Sequence, residues 1–171
     1  NGAGKSTTFN CITGAHVPTA GTVWYDGDDV TGLGPHEMVK RGLARTFQSF
    51  RPLEDRPVIA NVALSLAPDS VFSLSGLRGE TKAKAARICE LVELGSDLEK
   101  MPGELPHAGM LRLELARALA TSPDLLLLDE PFAGLADSEV TQLSELITQL
   151  REDSDITMAI VDHNMRGLLP L

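Results

Sequence analysis

Positive charge is scarce and scattered in this chain. Fifteen Lys and Arg stand against 24 Asp and Glu, which leaves a formal net charge of −9 and a pI near 4.8. Surfaces that hold nucleic acid cluster Lys and Arg against phosphate, so no nucleic-acid partner is expected. Cysteine is rarer still. Cys11 and Cys89 each fall inside an apolar helical pattern, and both are read as buried thiols in a reducing compartment, with no disulfide and no metal cluster between them. No apolar run approaches the ~20 residues a membrane helix needs, and no signal peptide is present, which predicts a soluble, cytoplasmic chain. Internal repeats and low-complexity tracts are missing as well. What remains, 43% hydrophobic over 171 residues, suits one globular domain with a real core.

The most informative stretch is Leu125-Leu126-Leu127-Leu128-Asp129-Glu130-Pro131, an apolar run that stops at two adjacent carboxylates. Preceded by the turn Ser122-Pro123-Asp124, it reads as a central strand of a parallel sheet covered on both faces. Its acids then emerge at the carboxyl end, where open α/β sheets bind ligands. From the strand alone, an ordinary core strand followed by a polar loop stays open. The first residues narrow the choice. Asn1-Gly2-Ala3-Gly4-Lys5-Ser6-Thr7 matches the second half of the phosphate-binding pattern G-x-x-x-x-G-K-[ST], in which backbone N–H groups and a helix N-terminus surround phosphate oxygens. In that pattern Lys5 meets the β- and γ-phosphates of ATP and Ser6 supplies a hydroxyl to Mg²⁺. Asp129 completes the metal site from the neighbouring strand, and Glu130 polarises an attacking water.

The remaining elements follow in order. A helix is predicted from Lys5 to Thr13, ending at Gly14. Gly21 to Gly27 alternates and is bounded by glycines, so it reads as a strand in a hairpin-rich antiparallel section, with Trp24 and Tyr25 packing rather than binding. Pro35 to Arg41 is a short helix closing at Gly42. Leu43 to Gln48 is a strand that delivers Gln48 into the loop of Phe50-Arg51-Pro52-Leu53, and by physics alone Gln48 is simply a polar strand-end residue. Residues 56–112 read as a helical insertion, with Ala85, Ile88, Leu91 and Val92 on one face and 70–79 loop-like. Leu111 to Ala120 is a further amphipathic helix, with Leu111, Leu115, Ala118 and Leu119 on its face. A helix capped by Asp137 or Ser138 buries Val140, Leu143, Ile147 and Leu150. A buried strand, Ile156 to Val161, ends at Asp162-His163. Because the chain opens inside a phosphate loop and stops soon after a strand, it is read as an internal fragment, truncated at both ends.

This order of motifs resembles the nucleotide-binding subunit of an ABC transporter over nearly all of residues 1–171. Asn1 to Thr7 matches the Walker A loop, Gln48 the Q-loop glutamine and Leu125 to Asp129 the Walker B strand. Glu130 falls on the catalytic glutamate, Gly134 to Asp137 on the D-loop and His163 on the switch histidine. Gly42-Leu-Ala-Arg-Thr-Phe-Gln48, Leu113-Glu-Leu-Ala-Arg-Ala-Leu119 and Asp162-His-Asn-Met165 are similar to branched-chain amino acid importer ATPases of the LivG type. The resemblance implies an α/β P-loop core with a mainly parallel sheet, an antiparallel β section and a helical insertion. Glu130, His163 and Gln48 would be catalytic, and Ser6, Gln48 and Asp129 would attend Mg²⁺. It also implies a second ATPase subunit, identical or related, and integral membrane permease subunits that hold the pair at the inner face of the membrane.

One loop departs from the family's pattern. The signature L-S-G-G-Q, which meets the γ-phosphate held by the opposite subunit, aligns with Leu105-Pro106-His107-Ala108-Gly109. Pro106 removes a hydroxyl and an N–H, and Ala108 adds a methyl where glycine admits phosphate. His107 offers a substitute donor, and a shift of one residue would put Gly109 at the glycine position. His107, Ala108, Gly109 and Asp137 are therefore nucleotide-contacting candidates by resemblance. The alternatives to an importer ATPase are a nucleotide-binding regulatory module that does not turn over and an ABC ATPase outside transport.

Overall fold

The computed structural model describes residues 4–46, 51–66 and 79–171. The expectations placed on Asn1, Gly2, Ala3, Gln48, Phe50 and residues 70–78 lie outside the described residues.

Three parallel strands carry the architecture: β3 (Leu43–Arg45), β4 (Leu125–Asp129) and β5 (Thr157–Val161), in the order β3-β4-β5. Leu43 lies opposite Leu125 and Asp129 opposite Val161. The expected central strand is therefore β4. Leucine alternation along it feeds two cores at once. Leu126 and Leu128 enter a large cluster with residues of α3 (Val58–Ser65), α4 (Gly79–Leu91), α5 (His107–Ala120) and α6 (Asp137–Glu152). Leu127 enters a smaller one with Phe9, Val30, Met38 and Leu43. Each fully buried leucine contributes roughly 1.5–3 kcal/mol, so this five-residue strand anchors both faces.

The antiparallel section is shorter than expected. β1 (Trp24–Tyr25) pairs with β2 (Asp28–Asp29) around Asp26 and Gly27, whose φ values of 50° and 84° are those of a type I′ hairpin turn. Asp26-Gly27 thus belongs to the turn and not to a strand. Trp24 does not pack: with Val23 and Tyr25 turned toward the small core, alternation sends Trp24 outward, where it is 64% exposed.

Helix α1 (Lys5–Ile12) and α2 (Pro35–Lys40) lie where the caps predict them. In α4 the buried residues are Ala85 and Cys89, continued by Val92 just past its end, while Leu91 is 56% exposed; the true period runs i, i+4, i+7, and Leu91 falls on the solvent side. Burial pushes the Cys89 thiol up to about 11, as befits a buried, inert sulfur, but Cys11 is only half-buried. Helix α6 buries the expected Val140, Leu143, Ile147 and Leu150, yet its cap is neither Asp137 nor Ser138. Ala136 is the cap residue, and Glu139 Oε2 accepts its N–H at 2.9 Å. β5 is half-buried instead of buried, because it pairs with β4 on one side only among the described residues. The last helix, α7, covers Met165–Leu168. Among the described residues no helix is long and apolar enough to cross a membrane.

Gly14 fixes the exit from α1. Its φ is 72°, and a Cβ there would sit 2.0 Å from the Leu33 carbonyl oxygen, which is backbone. Gly14→Ala is expected to destabilise the protein by about 2 kcal/mol or more, since a left-handed conformation and a backbone clash coincide. Gly103→Ala, which meets open space at an ordinary φ, should change stability by less than about 0.5 kcal/mol. Urea denaturation of the two variants checks the contrast.

Candidate functional site

The phosphate-loop residues open α1. Gly4 has φ 78° and supplies no side-chain cap, and the first turn carries no acid, so among the described residues no side chain closes this positive helix end. Lys5, Ser6 and Thr7 are exposed. Thr8 Oγ1 donates to Gly4 O at 2.9 Å and steadies the first turn. This end can receive an anion, and it lies open on the surface.

Asp129 is the opposite in character, at 4% exposure. Its backbone N–H donates to Thr46 Oγ1 at 3.3 Å, and its Oδ2 accepts from Arg45 Nη2 at 2.6 Å. Its Oδ1 is buried with no hydrogen-bond partner among the described residues. Arg45 also donates from Nη1 to Asn10 Oδ1 at 2.6 Å and lies 5.6 Å above the Phe9 ring. Removing one partner of such a buried pair costs roughly 3–5 kcal/mol, because it strands the other charge. Sequence reasoning missed Arg45 altogether. Its only trace was a basic residue within a short apolar strand, a place where an unpaired charge is not tolerated.

Glu130 leaves the strand in the left-handed region, with φ 51°. A non-glycine there is strained by roughly 1–3 kcal/mol. The neighbouring backbone holds it, for Glu130 N–H donates to Val161 O at 2.7 Å and Ala133 N–H donates to Glu130 O at 3.1 Å. The turn directs the chain away from the sheet just after Asp129. His163, 70% exposed on its side chain, has Nδ1 at 4.0 Å from Glu130 Oε2 and 3.7 Å from Asp162 Oδ1. Asp162 is the brace beneath it. With a fully buried side chain, it accepts from Phe132 N–H at 2.9 Å and from Asn164 N–H at 2.8 Å, joining the segment after β4 to the one after β5. Sequence reasoning reads Asp162 only as a strand end and as part of the importer-like phrase Asp162 to Met165, and misses this brace.

The loop expected over Leu105 to Gly109 is mostly helix. Pro102–Glu104 forms a 3₁₀ turn, Leu105 and Pro106 are extended, and α5 begins at His107, four residues before the predicted Leu111. Proline at the cap position, with its fixed φ, starts the helix early. His107 is exposed and its Nε2 lies 3.1 Å from Ala133 O, whereas Ala108 is half-buried. Gly109 is buried, its α-carbon turned toward Leu105 and Pro106. Gly134, φ 76°, sits so near that a Cβ there would be 3.1 Å from His107 Nε2. Asp137 is exposed at the start of α6 and pairs with Arg166. A cleft of about 260 Å³ lies among Thr46, His107, Glu114, Asp129, Glu130 and Ala133, so it joins His107 to Asp129 and Glu130. A larger cavity of about 420 Å³ borders Arg45 and Glu114 but neither Asp129 nor Glu130, and Lys5 and Ser6 line neither space.

A parallel sheet whose central strand ends in Asp-Glu beside a glycine-led, uncapped helix defines a P-loop nucleotide hydrolase. A family model described as ABC transporter matches residues 1–133. The chain is 36% identical, over its whole length and 71% of the relative, to the high-affinity branched-chain amino acid transport ATP-binding protein BraF of Pseudomonas aeruginosa. It is 35% identical, over 97% of its length and 69% of the relative, to the protein of the same description, LivG, from Escherichia coli. A methionine import ATP-binding protein, MetN of Caulobacter vibrioides, is 36% identical over 96% of this chain and 49% of its own. Among solved structures, the ATP-binding cassette MJ1267 of an ABC transporter superimposes with TM-score 0.86 at 31% identity, over 99% of this chain and 70% of that one. The cassette MJ0796, seen as a dimer bound to ADP and Pi, gives 0.80 at 27% over 96% and 72%. The chain belongs to the ABC transporter family, as one of its ATPases.

Asp162→Ala should cost about 1–3 kcal/mol of stability, because it strips the acceptor from the buried N–H of Phe132. Thermal unfolding of the variant checks this, with His163→Ala, an exposed side chain, expected to stay within about 0.5 kcal/mol of the parent.

Proposed function

We propose that this chain binds Mg·ATP between the start of α1 and the carboxyl ends of β4 and β5, and hydrolyses it to power a membrane importer. The observations that support the reading most are a glycine-led helix start with no side-chain cap and a central strand that ends in a buried carboxylate, one oxygen of which has no hydrogen-bond partner among the described residues. In this reading Asn1, Gly2, Ala3, Gly4, Lys5, Ser6 and Thr7 cradle the phosphates. Ser6, Asp129 and Gln48 hold Mg²⁺, which neutralises charge on the β- and γ-phosphate oxygens when bound. Asp129 Oδ1, buried and without a hydrogen-bond partner among the described residues, fits that duty, since an acceptor excluded from water and short of a donor favours a cation or its water shell. Glu130 orients the attacking water for in-line displacement at the γ-phosphorus, while His163 and Gln48 sense the γ-phosphate.

Exposure of Lys5, Ser6, Thr7 and His163 supports a paired assembly. Such an open surface excludes water only when a second surface covers it, and a second ATPase subunit, identical or related, presenting His107, Ala108, Gly109 and Asp137 supplies one. Residues 56–112 act as the helical subdomain, and the loop of residues 50–57 docks the permease subunits, which hold the pair on the cytoplasmic face of the membrane. Kinship favours amino acids as the cargo class, and branched-chain amino acids within it, because BraF and LivG, each matched over 97% or more of this chain and 69% or more of its own, are described by that transport.

Glu130→Gln keeps the size and hydrogen bonding of the side chain but removes the charge that polarises water. Nucleotide binding should persist while turnover falls by about 10²-fold or more, the scale for a lost acid–base group. Lys5→Ala should abolish ATP binding. Parent-rate hydrolysis by Glu130→Gln, measured with the permease partners present, would overturn the assignment. Binding without turnover in the parent itself would favour the regulatory reading, with Pro106 and Ala108 as its cause.

A further inference from the structure

We propose that Arg45 is a positioning residue that presents Asp129 to the metal and couples that carboxylate to the phosphate-loop helix. The inference rests on the reading of Asp129 as a Mg²⁺ group. Arg45 stands opposite Leu127 in the ladder between β3 and β4, so it shares a face of the sheet with Leu127 and, two residues on, with Asp129. That face is the one α1 covers. The guanidinium fork is divided there. Nη2 takes Asp129 Oδ2 at 2.6 Å, while Nη1 takes Asn10 Oδ1 at 2.6 Å and reaches Thr13 Oγ1 at 3.4 Å. Thr13 in turn donates its hydroxyl to Phe9 O at 2.8 Å, so the contact is tied into the α1 backbone.

Two consequences follow from this division. Arg45 engages one carboxylate oxygen and leaves the other, Oδ1, buried and without a partner among the described residues, so it fixes which lone pairs of Asp129 are offered. It also spans α1 and β4, the two elements that bring Ser6 and Asp129 to one ion. A planar, rigid fork suits that bridge, and a lysine, with one flexible point charge, cannot hold both tines. The side chains of Arg45 and Asp129 are both nearly excluded from solvent, so water does not substitute for the missing contact. Arg45 does not touch the reacting atoms in this account. Its effect passes through the orientation of Asp129.

The test compares ATP affinity with Mg²⁺ and with EDTA, by equilibrium binding in the intact protein carrying Glu130→Gln so that no turnover intervenes. Arg45→Met should lose at least about 10-fold of the Mg²⁺-dependent gain in affinity, while affinity in EDTA stays within about 2-fold. Arg45→Lys should recover only part of the gain. Asn10→Ala releases the second tine without stranding the Asp129 charge. It keeps the question answerable if Arg45→Met does not fold, and should lose about 3-fold of the same gain. Unchanged Mg²⁺ dependence in folded Arg45→Met and Asn10→Ala overturns the proposal, as does an equal fall of affinity with and without Mg²⁺, which marks a scaffold role only. If the unsubstituted site shows no Mg²⁺-dependent affinity at all, the reading of Asp129 itself fails, a result separate from either.

Discussion

A carboxylate buried at the end of a strand with two apolar faces is the constraint on which this structure turns. An ion taken out of water costs several kcal/mol unless a partner of opposite charge meets it with good geometry. Asp129 cannot find that partner along its own strand, which is leucine throughout. The cation must come from next door, and the register decides whether it arrives. With Arg45 opposite Leu127, the guanidinium and the carboxylate lie on the same face. A slip of one residue would send Arg45 to the α5 side and leave Asp129 alone among leucines. The ion pair and the strand pairing therefore select the same register, and the hydrophobic faces enforce it from both sides.

The same constraint orders the neighbourhood. Thr46 follows Arg45 and caps the Asp129 N–H, so β3 serves the end of β4 through both residues. On the other side, Glu130 N–H is secured by Val161 O before the chain turns into its left-handed step. Phe132 is then pinned by Asp162. The phosphate-loop helix joins through Asn10 and Phe9, the latter lying under the guanidinium as well as in the small core. Three strands thus meet around a single acid, and one helix joins them through Arg45.

What the sequence made legible was whatever depends on period or on spacing within one segment. The leucine run, the buried stripe of α6 and the turn glycines could be read that way, and so could the acids at the strand end, since alternation and capping are local. Partnerships between segments could not. Arg45 carries no local mark of its contact with Asp129, 84 positions away, nor does Asn10 of its contact with Arg45, 35 positions away. Asp162 reads as a strand terminus because its contact with Phe132 exists only once β4 and β5 are side by side. The early start of α5 was hidden for a different reason. Pro106 was weighed as a lost donor at a signature loop, when its fixed φ also makes it a good cap position. Leu91 and Trp24 lie exposed because apolar identity alone does not secure burial, and a folded protein still exposes many apolar atoms.

The division between braced and open groups is itself an argument about mechanism. Asp129, Asp162 and Arg45 are buried and held by two or more contacts each, so their conformational entropy is already spent in the folded protein. Lys5, Ser6, His107 and His163 are exposed, and exposed side chains give up rotamer freedom only when something orders them. Ordering several long side chains costs on the order of 0.5–1.5 kcal/mol for each, which has to be met by the binding of nucleotide and of a covering surface. Groups of the first kind hold charge at fixed positions whether or not ATP is bound. In the function proposed, those of the second kind become competent only on closure. On that proposal the site would couple hydrolysis to assembly without any residue being moved far, because the buried half is ready and the exposed half waits for the second surface that completes it.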